Sequence, residues 1–280
     1  MTDDGTLRIA CLQMRPDIGH PGNNLRRTLE LCTTAADAGA NLLVLPELCV
    51  SGYAFATVAE ARNAAEAVPD GPSTTAWSAF CRDNDTYLVA GIAERVGDTL
   101  YNSSVVIGPG GHLGTFRKVH LWNRENLFFT PGDLGFPVFD TPFGRIATFV
   151  CYDGWFPESY RSCALQGADL ICVPTNWVPI PGQADGSPAM ATVLAQANAH
   201  SNSVYVAAAD RVGVERGQPF IGQSVIVSYT GWPLAGPASA EDEQILYADL
   251  DLNAARAARA WNDFNDPIRD RRPEAYRSDV

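Results

Sequence analysis

The order of apolar runs and amphipathic stretches along this chain predicts a layered α/β fold. Short strand-like segments alternate with helical ones, the pattern expected of helices packed on sheets. Gly108-Pro109-Gly110-Gly111 separates two strand-like runs in the manner of a hairpin turn, so part of the sheet is antiparallel. With 280 residues, 46% of them hydrophobic, the chain can build a substantial core. It lies near the upper size that one core serves, and no linker interrupts it. Residues 1–280 therefore read as a single domain.

The elements follow in order. Residues 7–14, LRIACLQM, read as a strand. Residues 23–38 read as a helix with Leu25, Leu29 and Leu31 among charged neighbours, ended by Gly39. Residues 41–45 form a short apolar run that meets Pro46, a buried strand. Residues 59–67 and 73–84 are helical in pattern, and 87–93 is a strand. Strands over 102–107 and 113–119 flank the hairpin turn. Residues 145–150 form a strand that runs into Cys151, and 157–166 read as a helix with proline in its first turn. A strand over 170–173, a helix over 189–201 and strands over 204–209, 224–228 and 245–250 complete the pattern. Residues 253–280 are charged and open with a helical stretch; they form a C-terminal extension with the reach to contact a neighbouring subunit.

Composition excludes several function classes. The formal net charge is −12 and no basic block is present, which argues against nucleic-acid binding. The seven cysteines are odd in number and form no C-x-x-C pair. The opening MTDDGTLRIACLQM has no basic segment followed by a long apolar run, and no stretch is long enough to span a bilayer. The expectation is a cytoplasmic protein with free thiols and no membrane partner. No histidine–cysteine–carboxylate cluster has zinc-ligand spacing, and no glycine-rich loop matches a phosphate or dinucleotide fingerprint, so no metal and no cofactor are expected.

Three chemically active residues sit where an apolar strand stops, the place where layered α/β folds gather their sites. Glu47, in NLLVLPELCVSGY, follows an apolar run and a proline. Desolvation there raises a carboxyl pKa and suits it to proton transfer; a helix cap or an arginine partner is the alternative. Lys118, in TFRKVHLW, alternates with Phe116 and His120 on one strand face. It needs a partner if buried, or guards a sheet edge if not. Cys151, in GRIATFVCYDGWFPES, ends a strand just before a helix. That geometry exposes a nucleophile on a tight turn and places backbone N–H groups where an oxyanion would form. A buried structural cysteine is the alternative. His120 leaves a Cys151–His120 dyad open by spacing, against a hydrogen-bonded core histidine.

Taken together, three ordered segments resemble the nitrilase superfamily: PEL-x-x-x-GY around Glu47, RK-x-HL around Lys118, and CYD-x-x-FPE from Cys151 to Glu158. RENLFFTPG (124–132), PFGRI (142–146) and RRPEAY (271–276) extend the resemblance over nearly the whole chain. It implies a four-layer α-β-β-α sandwich and a homodimer or larger homo-oligomer. It also implies roles. Cys151 attacks the carbon, Glu47 shuttles protons, Lys118 and the Tyr152 N–H stabilise the tetrahedral intermediate, and Glu125 positions Lys118 or substrate. His120 then moves to a supporting place.

Tyr152 and Asp153 after the nucleophile resemble the amidase-like branches, and the loop Gly154-Trp155-Phe156 offers no cation for a substrate carboxylate. Small neutral amides are the leading substrate expectation, a nitrile the second and a carbamoyl amine the third. Tyr53, Asn176, Tyr152, Trp155, Trp177 and Phe128 are the candidate substrate contacts; each aromatic taken singly also fits a core role.

Overall fold

The computed structural model describes residues 6–182 and 187–276. The first five residues of the opening segment and residues 277–280 of the expected extension lie outside the described residues.

The strands assemble into two six-stranded sheets. The first contains β1 (Leu7–Gln13), β2 (Leu42–Val44), β3 (Tyr87–Val96), β4 (Thr99–Gly108), β5 (Gly111–Arg117) and β14 (Gln244–Leu250), in the order β14-β1-β2-β3-β4-β5. The second contains β6 (Val138–Thr141), β7 (Gly144–Thr148), β8 (Leu170–Pro174), β9 (Tyr205–Ala209), β12 (Val225–Val227) and β13 (Pro233–Ala235), in the order β13-β12-β9-β8-β7-β6. β1, β2 and β3 pair in parallel, as do β7, β8 and β9, while the outer strands are antiparallel. A separate hairpin, β10 (Val212–Glu215) with β11 (Gln218–Ile221), turns on Arg216 and Gly217. Both turn residues have positive φ, +49° and +83°, as a two-residue type I′ turn demands.

The period of two along each strand builds the layers. In β1, Leu7, Ile9 and Cys11 face the second sheet, where they meet Leu170, Cys172 and Ala207. The alternate residues Ala10, Leu12 and Met14 face Cys32 and Ala35 of α1 (Pro21–Asp37) and Trp77 and Cys81 of α3 (Pro72–Asn84). The Trp77 Nε1–H donates to Thr28 Oγ1 at 3.0 Å and ties those helices together. On the other side, Ile171, Val173, Val206 and Ala208 face Cys163 of α4 (Pro157–Leu165) and Ala191, Ala195 and Ala199 of α5 (Met190–Asn202). The order is therefore helix, sheet, sheet, helix, the four-layer sandwich expected. Among the described residues no helix is long and apolar enough to cross a membrane.

Two expectations change. β5 ends at Arg117, so Lys118 and His120 do not share a strand face. The Lys118 N–H still donates to Asn102 O at 2.7 Å, but the Gly132 N–H caps Lys118 O at 2.8 Å and the chain then leaves the sheet. A β-carbon on Gly132 would lie 1.9 Å from Arg117 O, so only glycine permits that approach. The short strands β6, β10, β11 and β13 add to the expected set; they are partly exposed and form no continuous apolar run in the sequence. The C-terminal extension begins with α6 (Leu252–Ala257) and packs on its own outer layer. His200 of α5 stacks on Trp261, and Arg161 of α4 donates to Pro267 O.

Candidate active site

The chain leaves β2 through Leu45 and Pro46 and delivers Glu47 to a fully buried position. Close approach of β3 makes this possible. The Gly91 N–H donates to Pro46 O at 3.1 Å, and a β-carbon on Gly91 would lie 2.4 Å from the Glu47 Cα. Glu47 Oε1 accepts from Lys118 Nζ and from Asn102 Nδ2, both at 2.6 Å. Its Oε2 is buried and has no hydrogen-bond partner among the described residues. Burial lifts this carboxyl from 4.5 to about 7, with Lys118 pulling the other way and Glu125 adding to the rise.

Lys118 is fully buried between two carboxylates. Its Nζ donates to Glu47 Oε1 at 2.6 Å and to Glu125 Oε1 at 2.8 Å. Burial alone would lower its pKa, but Glu125 and Glu47 outweigh burial and the net shift is upward. The group stays an ammonium. It carries three N–H donors and spends two on carboxylates, so one remains. Glu125 lies in the 3-10 turn Asn123–Leu127. It also accepts from Tyr53 Oη at 2.7 Å and from the Trp122 N–H at 3.2 Å.

Cys151 follows β7 by a short link and opens a 3-10 turn over Cys151–Trp155. Its φ of +46° lies in the left-handed region, which costs a non-glycine residue about 1–2 kcal/mol. Strain of this kind concentrates at functional positions. Asp153 holds the turn: its Oδ2 accepts from the Val150 N–H at 3.2 Å and its Oδ1 from the His120 N–H at 2.9 Å. The thiol is raised well above its ordinary pKa, first by burial and then by the Glu47 charge. Lys118, the Thr175 hydroxyl and the Asn176 N–H oppose that rise. The resting thiol is therefore protonated, and a nucleophile here needs a base. His120 is occupied elsewhere: its Nδ1 contacts Asp153 Oδ1 at 2.7 Å and its ring stacks on Phe156 at 3.6 Å.

The candidate substrate contacts divide between two adjoining cavities that share Trp122. Tyr152, Trp155, Asn176 and Trp177 line a narrow one of about 20 Å³ with Cys151. Tyr53 and Phe128 line a wider one of about 440 Å³ together with Glu125. Asn176 is 2% exposed, and neither atom of its amide has a hydrogen-bond partner among the described residues. Buried polar groups are nearly always paired, so this amide is an exception that calls for a ligand. Among the described residues no three His, Cys, Asp or Glu side chains converge to hold a metal ion.

Several residues that shape the site carry no local signal in the sequence. Asn102 reaches Glu47 from β4. Glu215 Oε1 accepts from the backbone N–H groups of Tyr53 and Ala54 at 2.7 and 2.6 Å, and its Oε2 accepts from Arg211 Nη1 at 2.8 Å. Arg211 is 1% exposed and lies 4.1 Å above the Phe220 ring. This buried pair fixes the loop that aims the Tyr53 hydroxyl at Glu125.

Comparison with known proteins adds a family context. The carbon-nitrogen hydrolase family profile matches residues 8–260. A nitrilase of Pyrococcus abyssi is 44% identical over 96% of this chain and 99% of its own length. An N-carbamoylputrescine amidase of Solanum lycopersicum is 31% identical over 91% of this chain and 88% of its own. Among solved structures, Nit3 of Saccharomyces cerevisiae, a member of branch 10 of the nitrilase superfamily, superposes with a TM-score of 0.82 at 26% identity, covering 92% of this chain and 95% of that one. A mutant of the amidase of Nesterenkonia sp. AN1 in complex with butyramide superposes with a TM-score of 0.79 at 26% identity, covering 98% and 97%.

Proposed function

The chain belongs to the carbon–nitrogen hydrolase family, and on that premise we propose that it hydrolyses small amides to carboxylic acid and ammonia through a Cys151 thioester. The observation that carries the amide reading is the Asn176 side chain beside Cys151, whose amide has no hydrogen-bond partner among the described residues. A carboxamide offers one acceptor and two donors and complements another carboxamide; a nitrile offers one acceptor only.

Glu47 Oε2 takes the thiol proton while Sγ forms a bond to the carbonyl carbon. The developing oxyanion takes the third N–H of Lys118 and the Tyr152 N–H, which lies in the first turn of a 3-10 segment where no intrahelical partner exists. The C–N bond breaks as Glu47 returns its proton to nitrogen, and ammonia leaves. Water then loses a proton to Glu47 and attacks the thioester. The C–S bond breaks, and the proton on Glu47 restores the thiol. Glu125 accepts from Lys118 alongside Glu47 and itself accepts from the Tyr53 hydroxyl.

A nitrile substrate is the second reading, favoured by the 44% identical relative that is named a nitrilase. Ammonia release from matched amides, nitriles and carbamoyl amines, run beside Cys151→Ala, separates the two. Release from amides that is lost in the variant supports the amidase. Release from nitriles alone overturns the preference.

A further inference from the structure

A further buried carboxyl stands beside the site and takes no part in the proposed chemistry. β9 ends at Ala209, and Asp210 follows it into a position with no exposed surface. Its Oδ1 accepts from the Trp177 N–H at 2.9 Å and from the Arg211 N–H at 2.7 Å. Its Oδ2 is buried and has no hydrogen-bond partner among the described residues. The Asp210 N–H donates to Ser224 Oγ at 2.8 Å, and that hydroxyl donates to Gln13 Oε1 at 2.9 Å. Gln13 Nε2 in turn donates to Ser239 O at 2.6 Å and to Asp242 O at 2.8 Å. A chain of bonds thus fixes Asp210 to β1 and to the segment ahead of β14.

Asn176 and Trp177 lie on the segment that leaves β8 and lines the cavity at Cys151. Three bonds stitch that segment to its neighbours. The Thr175 N–H donates to Ala209 O at 2.9 Å, the Ile221 N–H to Trp177 O at 3.0 Å, and the Trp177 N–H to Asp210 Oδ1. Of the three, the last alone runs through a side chain. No cation pairs with Asp210 among the described residues, because Arg211 turns to Glu215 at 2.8 Å and to Pro16 O at 2.9 Å. β1, β2, β8, β12 and α5 pack against β9. Arg8 of β1 pairs with Asp249, and His200 of α5 stacks on Trp261, so Glu47 beyond β2 and Arg211 are the charges that act on Asp210. Burial drives its carboxyl well above 3.8; the two N–H bonds oppose the rise, Glu47 adds to it and Arg211 opposes it. A buried carboxylate with no cation and one bare oxygen is costlier than the neutral acid.

We propose that Asp210 is a positioning residue for the reaction at Cys151: an uncharged carboxyl that anchors the Trp177 backbone and so holds Asn176 against the substrate amide. This rests on the amidase reading for the role of Asn176. The Asn176 N–H is also among the groups that oppose the upward shift of the Cys151 thiol, so the same anchor bears on the nucleophile. An uncharged carboxyl suits both needs. It keeps an acceptor oxygen for the two N–H groups. It also adds no second negative charge to the field at Glu47, whose proton affinity sets its strength as a base.

The test compares Asp210→Asn with Asp210→Ala in the full-length chain. Asparagine keeps the Oδ1 acceptor without charge; alanine removes both bonds. The folded state holds the Asp210 proton more tightly than the unfolded chain, so the wild type loses stability relative to Asp210→Asn as pH rises above 3.8. Urea unfolding from pH 5 to pH 8 should show the ratio of the two folding equilibria move toward the variant by up to about tenfold per pH unit. With butyramide, Asp210→Asn should keep kcat/KM within about threefold of wild type. It should also leave in place the fall in rate below about 7 that Glu47 imparts. Asp210→Ala should raise KM about tenfold, and the Asn176→Ala/Asp210→Ala double variant should raise it no further than Asn176→Ala alone. A stability ratio that ignores pH overturns the inference. So does an acid limb that moves to lower pH in Asp210→Asn, the sign of an ionised neighbour removed, and so do equal losses in both variants or KM increases that multiply in the double variant. If Asp210→Ala does not fold, the Asp210→Asn readouts decide. No ammonia from butyramide in the wild type would sink the amidase reading, and the urea series would still decide for or against an uncharged Asp210.

Discussion

Replacing Glu47 with glutamine probes the centre of the proposed chemistry with almost no change of shape. The introduced amide oxygen can keep the bonds from Lys118 and Asn102, and what is lost is the unpaired Oε2 that would accept the thiol proton. Burial raises the Glu47 carboxyl from 4.5 to about 7, a preference for the neutral form worth about 3 kcal/mol. A base of that pKa is about one-tenth ionised one unit below it, so wild-type kcat/KM should fall roughly tenfold per pH unit below about 7 and level off above it. In Glu47→Gln the rate should drop about 10²–10⁴-fold and this acid limb should vanish. Stability should move the other way. The folded state holds the Glu47 proton more tightly than the unfolded chain, so Glu47 destabilises the fold increasingly as pH rises from 4.5 to about 7. The glutamine variant lacks that slope and should gain stability over the wild type across the same window. Initial rates by ammonia release and urea unfolding, each followed from pH 5 to pH 9, give both readouts. A variant within tenfold of wild type that keeps a limb near 7 refutes the assignment and returns attention to His120.

Three further outcomes are expected. Lys118→Met leaves Glu47 and Glu125 buried without their shared cation, and urea unfolding at pH 8 should show a loss of about 3–5 kcal/mol, smaller at pH 5 where Glu47 holds its proton. Asn176→Ala should raise KM for butyramide about tenfold while the thermal midpoint holds or rises, because the deleted amide has no hydrogen-bond partner among the described residues. Glu215→Gln breaks the buried pair with Arg211, so unfolding should become easier by about 3–5 kcal/mol. In the surviving folded protein kcat should fall through the loosened Tyr53, and a variant with full kcat would separate that loop from the chemistry.

The order of strands and helices was legible because the central strands β2, β8 and β9 are buried on both faces and read as clean apolar runs. The short strands β6, β10, β11 and β13 were not, since they are partly exposed and form no continuous apolar run, unlike the equally short but fully buried β2 and β12. Glu47, Lys118 and Cys151 each left an alternative open when read singly, and they stood out because their three segments occur together and in order. Lys118 and His120 do not share the face that simple alternation suggests, because Gly132 folds back onto the end of β5, an approach that alternation within one strand does not reveal.

The sequence by itself determined the layered fold, because that follows from local patterns of burial, and it marked Glu47, Lys118 and Cys151 through three ordered motif segments rather than through any one of them. Only the tertiary structure decided how those residues act on one another. Asn102 meets Glu47 across 55 residues, and Glu215 holds Tyr53 across 162. It also decided that, among the described residues, one Glu47 oxygen has no partner and Lys118 spends two of its three N–H donors on carboxylates. Hydrogen bonding between distant segments depends on which strand ends the sheets bring together, and no window of neighbouring residues contains that information.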